Sequence, residues 1–193
     1  SIGYAPFNNQ ETFSGTATEN LNSVFGSKYG DEVGIFAGGA TKLFKLDATD
    51  LSLDDVSKTG GYGGSTWKFC QFGSVVICAN NASKLQGWTL GTSTQFADLD
   101  TNAPVAKYVT VVRDFVFTGH LDGGTNPNKV QWSDINSEST WVSGSTSQSD
   151  FQILPDAGNI TGLSGGEFGL VFCEKGVYRV TYAGTPLVFQ FDL

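Results

Sequence analysis

The chain has 193 residues, 39% of them hydrophobic and 13% aromatic, with 25 Gly against 5 Pro and a formal net charge of −8. That length is enough for one good-sized domain with a real core, and the acidic balance argues against a surface that grips nucleic acid by neutralising phosphates. No apolar stretch approaches the roughly 20 residues of a membrane-spanning helix, and no signal-peptide pattern is seen at Ser1.

Ser1–Asn20 reads as a polar lead-in that packs against the first structural unit. From Leu21 onward the chain repeats itself. Four hairpins are expected at Leu21–Ala37, Ser65–Ala79, Val105–His120 and Asn159–Cys173. Each joins two apolar runs through a polar or glycine-bearing turn: Tyr29-Gly30-Asp31-Glu32, Gly73-Ser74, Arg113-Asp114 and Gly165-Gly166-Glu167. A third strand follows each hairpin, marked by Leu43, Leu85, Val130 and Val177 at intervals of 42, 45 and 47 residues (85 − 43, 130 − 85, 177 − 130). Fourth strands are expected at Leu53–Ser57, Gln95–Leu99, Asp150–Leu154 and Leu187–Asp192.

Four strands recurring every ~40–50 residues match a β-propeller blade. The predicted fold is therefore all-β: about four four-stranded antiparallel blades (21–58, 65–99, 105–154 and 159–193) forming a segment of a larger propeller. A β-sandwich has no reason to repeat in register every fourth strand, and an α/β fold would need amphipathic helices that the pattern lacks. The chain contains no Met and stops within the run Phe191-Asp192-Leu193, so it is expected to be a piece of a longer chain. Ser133–Gln148, rich in Ser, Thr and Asn, is expected as an external loop of the third blade.

Candidate sites are few. Cys70, Cys78 and Cys173 are an odd count without metal-ligand spacing. If Gly73-Ser74 is a tight turn, Phe72 faces Val75, Cys70 faces Ile77, and Cys78 lies on the other face, so three unpaired thiols are expected. His120 is the lone histidine, at a strand end entering a glycine turn, and reads as structural rather than catalytic. Clustered carboxylates would be needed for glycoside cleavage. Asp54, Asp55, Asp98, Asp100, Asp114, Asp122, Asp134, Asp150, Asp156 and Glu167 are available, but nothing in the sequence gathers them. Asp122-Gly123-Gly124 and Asp156-Ala157-Gly158 read as turn chemistry, with Ca²⁺ a weaker option. Trp132 and Trp141 suit either a sugar-stacking platform or packing between blades, and packing is favoured, with Asp134 capping the following loop. Trp67, Trp132, Asp134, Trp141, Gly165 and Gly166 are thus assigned structural roles. No catalytic residue, metal site or cofactor is assigned.

Trp67–Gly73, Val130–Asp134 with Trp141, Gln148–Asp156 with its Asp-Phe-Gln-Ile-Leu-Pro-Asp core, Gly165–Phe172 and Tyr182–Phe191, in that order, resemble a family of phage and prophage virion proteins. These are similar to the tail nozzle and DNA-stabilising neck proteins of short-tailed phages. The resemblance runs from about Leu21 to the end. Cys70 and Gly73 answer to no family rule, and the lead-in matches weakly. The resemblance implies a non-enzymatic structural protein of the virion tail or neck, made in the bacterial host cytoplasm. It further implies a homo-oligomeric, six-fold assembly with other tail or neck proteins, without a membrane span. Its ring would form part of a conduit that lets DNA pass during ejection without tight binding, and an acidic wall would suit that use. The alternative from another class is a carbohydrate-binding or glycan-cleaving propeller acting in receptor recognition.

Overall fold

A computed structural model describes residues 15–64 and 66–193. Among these residues, sixteen strands form four separate four-stranded sheets, each an antiparallel meander in chain order. The first holds β1 (Ser23–Tyr29), β2 (Glu32–Gly38), β3 (Leu43–Leu46) and β4 (Leu53–Asp55). The second holds β5 (Lys68–Phe72), β6 (Val75–Ala79), β7 (Gln86–Thr89) and β8 (Ala97–Asp98). The third holds β9 (Ala106–Val112), β10 (Phe115–Leu121), β11 (Asn126–Trp132) and β12 (Asp150–Ile153). The fourth holds β13 (Ile160–Ser164), β14 (Gly169–Cys173), β15 (Val177–Gly184) and β16 (Val188–Asp192). The one helical element among the described residues is a 3-10 turn at Asp122–Gly124. No helix among them is long and apolar enough to cross a membrane.

All four expected hairpins form. Tyr29 pairs with Glu32, Phe72 with Val75 and Val112 with Phe115. Each of these turns begins with a residue of left-handed backbone: Gly30, Gly73 and, at greater strain, Arg113 with φ of 50°. The described end of the lead-in does pack on the first sheet. The Gly15 amide donates to the Leu51 carbonyl, and the Glu19 carboxylate accepts the amides of Thr41 and Lys42. Ser1–Ser14 lie outside the described residues.

Side chains alternate along each hairpin, so each sheet has two faces, and the pairing register assigns them consistently. The pair next to the turn points toward the following sheet, and the pair one step further points toward the preceding one. In the second sheet, Phe72–Val75 and Cys70–Ile77 face the third, whereas Gln71–Val76 and Phe69–Cys78 face the first. The third repeats this: Val112–Phe115 and Thr110–Phe117 face the fourth, and Val111–Val116 faces the second. Three apolar clusters result, joining the first sheet to the second, the second to the third, and the third to the fourth. Fully burying each Phe, Leu or Ile in such a cluster contributes about 1.5–3 kcal/mol.

Leu43, Leu85 and Val130 are all fully buried on the face that meets the next sheet. Val177 occupies the corresponding face of the fourth sheet, opposite Phe172, yet remains 45% exposed because no sheet follows it. The mirror-image gap lies at the other end. Val33 and Ile35 stand where the second sheet has Val76 and Cys78, which are 0% exposed, but they are 58% and 43% exposed. Among the described residues, no cluster joins the fourth sheet to the first.

Candidate functional site

The first strands β5, β9 and β13 run side by side and lie nearest one another, with β1 beside β5, while the fourth strands form the outer edges. Where the first strands converge there is a cavity of about 620 Å³, lined by Asn22, Ala40, Thr66, Lys68, Lys107, Tyr108 and Thr161. Every sheet thus contributes: Asn22 and Ala40 flank the first hairpin, Lys68 starts β5, Lys107 and Tyr108 lie on β9, and Thr161 on β13. A second cavity of about 400 Å³ shares Lys68, Tyr108 and Thr161 and continues along β9 and β13 past Thr110 and Ser164 to Gly165. Neither lining includes a carboxylate.

The acids are elsewhere. Asp54 and Asp55 lie on β4, Asp98 on β8, Asp150 on β12 and Asp192 on β16, so each outermost strand carries at least one. Two are ion-paired there: Asp55 with Lys42 at 2.8 Å, and Asp98 with Lys58 at 2.6 Å, the latter linking the rims of the first two sheets. Although burial pushes Asp98 up, the Lys58 ammonium and the Gln86 amide hold its carboxyl below the usual range. Charge on outer strands also discourages edge-to-edge pairing. The cavity lining thus lacks the negative charge expected of an inner wall, and the inward ends of β5 and β9 carry lysine instead.

His120 sits behind the cavity wall. Its backbone is left-handed at a bulge between Gly119 and Leu121, its ring stands edge-on to Tyr108, and Nδ1 donates to the Ile160 carbonyl at 3.2 Å. Burial, with Lys107 adding, lowers its pKa despite the hydrogen bond to Ile160. It thus links the third and fourth sheets. Asp122 accepts from the Asn126 side chain next to the 3-10 turn, and no group of three or more potential metal ligands occurs among the described residues.

Trp132 and Trp141 are each 3% exposed and face opposite neighbours. Trp132 stacks on Phe117 at 5.9 Å, meets Phe189 edge-on at 5.2 Å, and donates Nε1–H to the Gln148 carbonyl. Trp141 belongs to the cluster between the second and third sheets and donates to the Glu138 carbonyl. The Ser133–Gln148 segment, expected as an external loop, therefore drives its one aromatic, Trp141, into the core. Asp134 Oδ1 accepts the amides of both Ile135 and Gln148, tying the loop's two ends together. Trp67 is 1% exposed, edge-on to Tyr62, and donates to the Gly39 carbonyl.

Gly165 and Gly166 lie in the fourth hairpin's turn, as the sequence suggests, and also form a backbone seam with the third sheet. The Gly166 amide donates to the Val111 carbonyl, and the Arg113 amide donates to the Gly166 carbonyl. Single-sequence reasoning missed this seam, and it missed the lysine-lined cavity. The available signal was weak: Lys68 and Lys107 both stand at the first-strand start of their repeats.

No family model matches the chain, and no curated protein matches it. Among solved structures it is similar to a computationally designed protein, Ika4, with a TM-score of 0.56 and 15% identity, covering 86% of this chain and 93% of that one. At that identity the likeness is one of fold alone.

Proposed function

We propose that the protein is a structural, non-enzymatic ring-building module whose four sheets are blades of a larger propeller, working in a phage tail or neck assembly. The carrying observation is the pair of uncovered end faces. Val24, Val33 and Ile35 at one end, and Phe172 and Val177 at the other, are exposed apolar side chains. Their register equivalents within the stack are buried. Sheets here meet head to tail, following face against preceding face, so the exposed face of the fourth sheet is the natural complement of the exposed face of the first. A second copy of the chain brings that complement, and head-to-tail contacts close into rings when the rotation allows.

The passage for DNA in this reading lies between chains. A cavity of 620 Å³ falls in the small-molecule range of about 300–1,000 Å³. A space of that size suits a small molecule and not a length of duplex DNA. The acidic rim, with Asp54, Asp98, Asp150 and Asp192, is the surface suited to a non-adhesive wall. The glycan alternative loses its platform, since Trp132 and Trp141 are buried on opposite sides of one sheet.

Sedimentation velocity on the 193-residue chain tests the assembly, and a virion reconstruction tests the location. An oligomer whose end faces are in contact, and density for this fold in a tail or neck ring, are expected. A monomer at high micromolar concentration overturns the assembly reading, and absence from the virion overturns the location.

A further inference from the structure

We propose that the cavity where the four sheets converge binds a small phosphate ester, held between Lys68 and Lys107. This is independent of ring assembly. Three observations carry it. First, in a chain of net charge −8, the cavity lining has two lysines and no carboxylate. Second, neither ammonium is ion-paired within the described residues. The ion pairs there use Lys42, Lys58 and Arg113 instead, while Lys107 Nζ rests 5.5 Å from the Tyr108 ring centroid. Third, the remaining polar lining includes the hydroxyls of Thr66 and Tyr108 as neutral donors, beside Thr161, whose own hydroxyl donates to the Phe172 carbonyl.

That set fits a phosphate monoester better than a carboxylate. A monoester brings up to two charges and three strong acceptor oxygens, matching two ammonium groups and the Thr66 and Tyr108 hydroxyls around one space. Lysine serves as a point-charge phosphate binder. The volume leaves room for the organic part of the ester beside Tyr108, and the adjoining 400 Å³ along Thr110 and Ser164 extends it.

The test is calorimetric titration at low salt with three probes: inorganic phosphate, adenosine 5′-monophosphate and a short DNA duplex. Saturable binding of the nucleotide is expected, with phosphate weaker, and both should weaken as salt screens the lysines. Lys68→Gln and Lys107→Gln should each cost about tenfold in affinity, the scale of one charge-assisted contact, and Lys→Arg at either position should retain binding. Lysine side chains at a cavity mouth carry little of the core, and the melting midpoint of each variant reports whether it folds. Failure of the wild-type chain to bind either small probe overturns the proposal, as does binding that survives both Lys→Gln changes. Duplex binding without nucleotide binding overturns it as well, and assigns the lysines to a nucleic-acid surface.

Discussion

Gly165 lies so close to the Val111 carbonyl oxygen that a Cβ at that position would collide with it. The contact is backbone against backbone, so no side-chain rotation can relieve it. It sits beside the two hydrogen bonds of the Gly166 seam, where Val112 and Gly166 form a parallel bridge between the third and fourth sheets.

Gly165→Ala should therefore force the fourth hairpin away from β9 and cost about 1–3 kcal/mol, the range of overpacking in a tight site. Denaturant unfolding measures this. A change below about 0.5 kcal/mol would mean the two hairpins part easily and the seam contributes little.

Trp132→Ala should cost about 3–5 kcal/mol by emptying the centre of the cluster between the third and fourth sheets. Its ring is packed between Phe117 and Phe189, and its Nε1–H satisfies the Gln148 carbonyl, so truncation leaves a cavity and an unpaired acceptor. A variant that kept its thermal midpoint but lost affinity for a glycan would return Trp132 to a binding role.

The hairpins were legible because alternation and turn chemistry are local. Tyr108-Val109-Thr110-Val111-Val112 and Gly73-Ser74 fix strand and turn within a few residues, and from them the Cys70–Ile77 pairing follows. The fourth strands were placed well, though β8 shrinks to Ala97–Asp98 where Gln95–Leu99 was expected. What the sequence hid is set by contacts between sheets. Whether Trp141 turns outward or into the second sheet, and whether Gly165 serves only its own turn, depends on neighbours roughly a repeat away. The polarity of the inner wall was hidden for the same reason: net charge says nothing about which strand end carries Lys68 or Lys107.

The three thiols should differ in reactivity. Cys70 and Cys78 lie in separate clusters on opposite faces of β5 and β6, and all three cysteines are unpaired. Burial pushes the Cys70 thiol up to about 12, and pushes Cys78 well above the usual thiol range, with Cys70 adding. Cys173 is partly exposed and is raised more mildly, by burial and then by Glu174. Since the thiolate is the reactive form, alkylation of the native protein at pH 8 should label Cys173 first and leave the other two until unfolding. Titration of the unfolded, unreduced chain should count three free thiols. A count of one would reveal a disulfide and contradict the Phe72–Val75 turn register.

The sharpest contrast concerns two valines at one position of the repeat. Val33 and Val76 both occupy the second strand of their hairpins, on the face directed at the preceding sheet, one residue beyond the turn pair. Val76 is 0% exposed and Val33 is 58% exposed, so the same side chain is core in one sheet and surface in the other. Val76→Asp places a carboxylate in the cluster shared by the first two sheets, near Phe36, Trp67 and Trp88. It should cost at least about 3 kcal/mol, because a buried unpaired charge has no compensating partner. Val33→Asp should change the stability of the single chain by no more than about 0.5 kcal/mol, as surface substitutions do. It should nonetheless disrupt any assembly built on the end faces, because the carboxylate would then be buried against the fourth sheet of another copy. Phe172→Asp, at the opposite end, should act alike. Sedimentation of the two end-face variants, alongside denaturant unfolding of all three, reads both effects. If Val33→Asp and Phe172→Asp sediment as the wild-type chain does, the end faces are not where copies meet, and the head-to-tail ring fails even if the chain is oligomeric.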